Sequence, residues 1–150
     1  MTDLLTARAQ LTSAACDAIL AAVREAAARQ GLAVTVAVVD ESAVLRASHR
    51  MDGTPLVSVE LAMKKAKTAA RTRRSTADWW ALLAGNDELR WAATTAIADL
   101  AIFGGGVVLT DDDGTVVGGL GVSGATQEQD TQLADAGRAV LESQPRADPA

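Results

Sequence analysis

Apolar side chains recur every three or four positions at Leu11, Ala15, Ile19, Ala22, Val23 and Ala26, which predicts an amphipathic helix closing at Gly31. Thr12 is its candidate N-cap, and the 4–10 lead-in either extends the helix or frays. The period then falls to two. Val34, Val36 and Val38 alternate with Thr35, Ala37 and Val39, so both faces are mostly apolar and a central strand is expected. Asp40-Glu41-Ser42 supplies turn chemistry before a second strand around Val44 to Ser48, making a hairpin. Its end delivers the segment His49-Arg50-Met51-Asp52-Gly53.

Helical spacing returns at Val59, Ala62, Met63, Ala66, Ala69 and Ala70, a stripe of mostly small residues that lets a helix lie close to a sheet. Glu60, Lys64, Lys67, Arg71 and Arg74 take the opposite, solvated face, with Glu60 and Lys64 in the favourable order for an i,i+4 pair. Lys65 falls between the faces with Leu61 and Thr68, where a long side chain can reach sideways into a cleft. Ser75-Thr76 and Asp87 read as starts of two short helices that carry all three tryptophans, a flap or a subunit contact, with Gly85-Asn86 breaking between them.

Ile97, Leu100 and Phe103 lead through Gly104-Gly105-Gly106 into a strand from Val107 to Thr110. Asp111-Asp112-Asp113-Gly114 marks a turn, and Thr115 to Val122 is the returning strand. Thr126 with Gln129 forms a capping-box pattern for a last helix whose buried side is read as Leu133, Ala136, Ala139 and Val140. From Pro145 the chain reads as a disordered tail. The order gives an α+β fold: an antiparallel sheet of four to five strands with helices packed on it, in a single domain.

Composition supports that reading and narrows the function. An apolar content of 49% in 150 residues is enough for a real core. The net charge of -5 speaks against nucleic acid and anionic membranes as partners, although the basic stretch from Lys64 to Arg74 leaves room for a local anion site. No apolar run reaches the roughly 20 residues of a membrane span, and the N-terminus lacks a signal-peptide layout, so a cytoplasmic location is expected. Cys16 and His49 alone cannot supply a zinc site.

Three glycine-bearing segments and one basic helix carry the candidate chemistry. Arg50 and Asp52 either contact a ligand or form an ion pair that fixes the turn before Gly53, and Met51 reads as core or as pocket wall. Lys65 with Thr68 can hold a carboxylate through charge and a hydroxyl donor. Gly105, Gly121, Ser123 and Gly124 expose backbone N–H groups that suit an anion or a carbonyl oxygen, and serve equally as tight turns and packing positions. They lack the spacing of a dinucleotide or phosphate loop. Ser123 has no second histidine to activate it, which argues against a serine-hydrolase triad.

Leu11-Thr12 to Gly31, Val38-Val39-Asp40, Arg50-Met51-Asp52-Gly53, Lys65-Ala66 with Thr68-Ala69, Gly105-Gly106-Val107, Gly119 to Gly124, Gln129-Asp130 and Ala136-Gly137 together resemble the GlcG/HbpS family over about residues 11–142. The resemblance implies a profilin-like sandwich that assembles as a homo-oligomer, a dimer or larger ring. It also implies haem binding; in that reading His49 or a nearby oxygen ligand holds the iron and Lys65 or Arg50 the propionates. A cofactor-free tautomerase is the second expectation: Lys65 and Arg50 hold the acid group of a small carboxylated enol while His49, Asp52 or Glu60 moves the proton. An oligomeric scaffold without catalysis is the third. Three positions depart from the family pattern: Lys67 stands in place of a tyrosine, Ser48 in place of an aromatic and Ala43 in place of a glycine. Two rings are thus missing beside the expected pocket of Arg50 to Gly53, Lys65, Thr68 and Gly121 to Gly124, which favours a smaller, more polar ligand.

Overall fold

Thr12 starts the first element by accepting the Ala15 N–H at 3.0 Å, and helix α1 (Ser13–Arg29) runs to Gly31, whose φ of +67° closes it. The computed structural model describes residues 4–143; the expected tail from Pro145 lies outside them. After α1 come strands β1 (Thr35–Asp40) and β2 (Leu45–Arg50), helices α2 (Val57–Thr72), α3 (Thr76–Leu83) and α4 (Asp87–Ala96), strands β3 (Gly106–Thr110) and β4 (Val116–Ser123), and helix α5 (Gln127–Glu142). The lead-in before Thr12 is not helical.

The sheet has the order β2-β1-β4-β3, antiparallel throughout, so the fold is the α+β sandwich expected, with four strands. Period-two alternation splits β1 between two cores. Val34, Val36 and Val38 join Ile19, Val23, Leu120, Val122 and Leu133 beneath α1 and α5. Ala37 and Val39 face α2 and meet its alanines, Ala62, Ala66 and Ala70. Small residues on both sides make that second layer thin: a Cβ at Gly119 would overlap the Ala66 carbonyl, and one at Gly121 the Ala62 carbonyl.

Three details differ from the sequence reading. Strand β2 continues two residues past Ser48, so His49 and Arg50 lie within the ladder rather than beyond it. The first turn of α2 buries Ser58 and leaves Val59 exposed. On α5 the buried stripe is Asp130, Leu133, Ala134 and Gly137, while Ala139 faces water. The expected capping box at Thr126 and Gln129 is formed in both directions. Among the described residues no helix is long and apolar enough to cross a membrane.

Candidate functional site

Strand β2 is an edge of the sheet, and its register decides where His49 points. His49 pairs with Val36 and Ala47 with Val38, so all of these side chains share the face covered by α1. Met51 continues the same face and packs against that core. Beside it lies a hollow of about 260 Å³ lined by Ala21, Arg24, Glu25 and Ala28 of α1 together with Met51. His49 itself is half-buried.

Arg50 points to the other face, in register with Thr35, and is exposed, as are Asp52 and Gly53. Among the described residues Arg50 and Asp52 form no ion pair. The turn is held instead by Thr54, whose hydroxyl donates to the Met51 carbonyl at 2.7 Å, and by Gly53 at a φ of +81°.

Lys65 does not open into a cleft. It is fully buried, and its ammonium donates to Asp130 Oδ2 at 2.8 Å and to the Val122 carbonyl at 2.9 Å while lying 4.7 Å from the centre of the Phe103 ring. The second Asp130 oxygen accepts the Ala125 N–H at 3.0 Å. Burial pushes the lysine down from its ordinary value and the aspartic acid up, and in each case the partner's charge opposes the shift. Gly105 is required by the same contact: at a φ of +115°, a Cβ there would sit 2.8 Å from the ammonium.

Asp130 is a member of this buried cluster that none of the sequence motifs marks as a site residue. A signal was present: it lies on the buried stripe of α5 with Leu133, Ala134 and Gly137, and a buried carboxylate requires a cation or donors.

The remaining expected residues hold the scaffold. Thr68 accepts the Ala101 N–H at 2.9 Å and donates to the Asp99 carbonyl at 3.2 Å, so it ties the loop before β3 onto α2. Gly121 admits α2, and Gly124, at a φ of +143°, turns the chain against Ala33 and Val34. Ser123 is buried in register with Thr35. Glu60 is exposed and pairs with Lys64 at 2.7 Å, a contact that lowers its carboxyl.

The expected wall is therefore not one pocket. Val122, which receives Lys65, is in register with Val36, which is in register with His49. Two strand spacings, roughly 10 Å, separate the histidine from the strand that holds the lysine.

Residues 11–139 match the family described as haem degrading protein HbpS-like. Protein GlcG of Escherichia coli K12 is 36% identical over 113 residues, covering 75% of this chain and 81% of GlcG. Corrinoid adenosyltransferase PduO of Citrobacter freundii is 33% identical over 108 residues, 72% of this chain but 32% of PduO, so the chain spans about a third of that relative's length. Among solved structures, Klebsiella pneumoniae protein ORFY superposes with a TM-score of 0.87 at 27% identity, covering 97% of this chain and 99% of that one. A PduOC–haem complex superposes with a TM-score of 0.82 at 31% identity, covering 89% and 96% respectively. By sequence and by fold, the chain belongs to the HbpS-like family.

Proposed function

We propose that this protein binds haem, with His49 as an axial ligand to the iron. The observation that carries the reading is the position of the chain's only histidine: half-buried, on an edge strand, on the same face as Met51 and its hollow. A relative of the same fold was crystallised as a haem complex, which supports the ligand class.

The residues present fit such a group. An imidazole is a common axial ligand, Ala21, Ala28 and Met51 offer apolar contact to a porphyrin edge, and Arg24 offers a guanidinium to a propionate. Because β2 has no strand on its outer side, a flat macrocycle can extend past the sheet edge. Bound haem would supply the redox and ligand-binding chemistry of the iron; His49 would hold the iron and Ala21, Ala28 and Met51 would form an apolar wall on one side.

No geometric observation favours proton transfer on a small enol. Lys65 is committed to Asp130 and Val122, and Glu60 to Lys64. Self-association is supported by exposed apolar side chains on α3 and α4: Trp80, Leu82, Leu89 and Trp91.

Titration of the purified protein with hemin tests the haem reading. A Soret band that saturates at a fixed ratio and is lost in His49→Ala is expected. Unsaturating absorbance, or an unchanged band in His49→Ala, overturns the assignment.

A further inference from the structure

The end of the molecule opposite His49 carries a second cleft, of about 300 Å³, at the lower bound for a small-molecule site. Glu41 contributes to it and follows Val36, the partner of His49, by five residues along β1, so the two places lie roughly 17 Å apart.

The walls are two hairpin turns that their own carboxylates hold rigid. Asp40 Oδ1 accepts the Ser42 and Val44 N–H groups at 2.9 and 3.0 Å. Asp111 Oδ1 accepts those of Asp113 and Thr115 at 3.0 and 2.9 Å. Ala70 lines the same cleft, and so do two exposed arginines, Arg8 and Arg73.

Neither arginine forms an ion pair or a hydrogen bond with another described residue. This holds although two carboxylate residues, Glu41 and Asp113, line the same space. Arg73 is also held against its local preference. It is the C-cap of α2, at φ 52° and ψ 34°, a left-handed conformation that helix ends usually give to glycine. An arginine there keeps a cation in the cleft at a conformational cost that a glycine would avoid.

We propose that Arg8 and Arg73 form a binding site for a small oxyanion, a carboxylate or a phosphate group, seated between the two hairpin turns and independent of the His49 face. Two guanidinium groups suit such a ligand because each offers a planar fork of donors to an oxyanion. Thr115, a residue with a hydroxyl, lines the same cleft.

The test is a titration of the ¹⁵N-labelled full chain with inorganic phosphate and, separately, with succinate, at constant ionic strength maintained with chloride. Saturable shifts of the Arg73, Gly114 and Thr115 amides are expected, with the His49 amide unmoved. Arg8→Ala and Arg73→Gly each weaken binding by about tenfold or more, while Arg71→Ala binds as the parent does. Saturation by phosphate alone or succinate alone supports the site and assigns its ligand class. Absence of saturation with both, or parental affinity in Arg8→Ala and Arg73→Gly, overturns it. Arg73→Gly is not expected to fail by misfolding, since glycine fits the backbone there more readily than arginine.

Discussion

The ammonium of Lys65 meets Asp130 Oδ2 at 2.8 Å across 65 residues of sequence, with side-chain exposures of 1% and 3%. The contact joins α2 on one face of the sheet to α5 on the other, passing beside Gly105 and the Val122 carbonyl of β4. Backbone yields to it: Gly105 takes a positive φ that leaves room for the ammonium, and the Val122 carbonyl accepts a lysine proton.

Breaking this pair from one side strands a buried charge. Lys65→Met and Asp130→Leu are each expected to cost about 3–5 kcal/mol in urea denaturation. The double substitution Lys65→Met/Asp130→Leu is expected to recover most of that loss, because two apolar groups need no partner. A double variant as unstable as the sum of the singles would show that packing, not charge pairing, is what the site requires.

The direction of the lysine shift fixes a pH dependence. Burial places the folded value of Lys65 below the ordinary 10.5, so between the two values the unfolded chain binds more protons and its contribution to stability rises with pH. The stability gap between the parent and Lys65→Met should therefore widen as pH is raised towards 10.5. Paired denaturation curves across the alkaline range measure it. A gap that narrows would mean that the charged lysine is favoured by the fold.

Helices, strands and turns were legible wherever one residue's chemistry settles the local backbone. Thr12, Ser75 and Thr126 cap helices as their side chains dictate, and Asp111 to Gly114 forms its turn. The site was less legible because facing depends on register. Extending β2 by two residues puts His49 and Arg50 on opposite faces, and local periodicity cannot show that Lys65 bends inward to meet a carboxylate 65 residues away. Ala43 is a middle case: the family's glycine fits its φ of 62°, yet this alanine is also buried against Ala37 and Val39.

Glycines that look alike in the sequence should respond differently to alanine. At Gly121 the backbone is ordinary but the added Cβ would overlap the Ala62 carbonyl, so α2 must move away from the sheet. A loss of about 2 kcal/mol or more is expected, toward or beyond the upper range for overpacking. At Gly114 nothing lies within 4 Å, and only the φ of +78° resists, so about 1 kcal/mol is expected. Equal losses at the two positions would refute close helix-to-sheet contact as the reason for Gly121.

Thr68 separates a ligand role from a scaffold role. Its hydroxyl accepts from the buried Ala101 N–H and donates to the Asp99 carbonyl, and Asp99 sits at a φ of 60°. Thr68→Val keeps the shape but leaves the amide without an acceptor, an expected loss of about 1–3 kcal/mol. Thr68→Ser keeps both bonds and gives up only a methyl group, so it should lose less, about 1 kcal/mol. Amide hydrogen exchange adds a local readout: in Thr68→Val the Ala101 amide should exchange faster than the global stability change accounts for, because the loop is released while α2 stays in place. If Ala101 keeps its protection in that variant, the hydroxyl does not hold the loop.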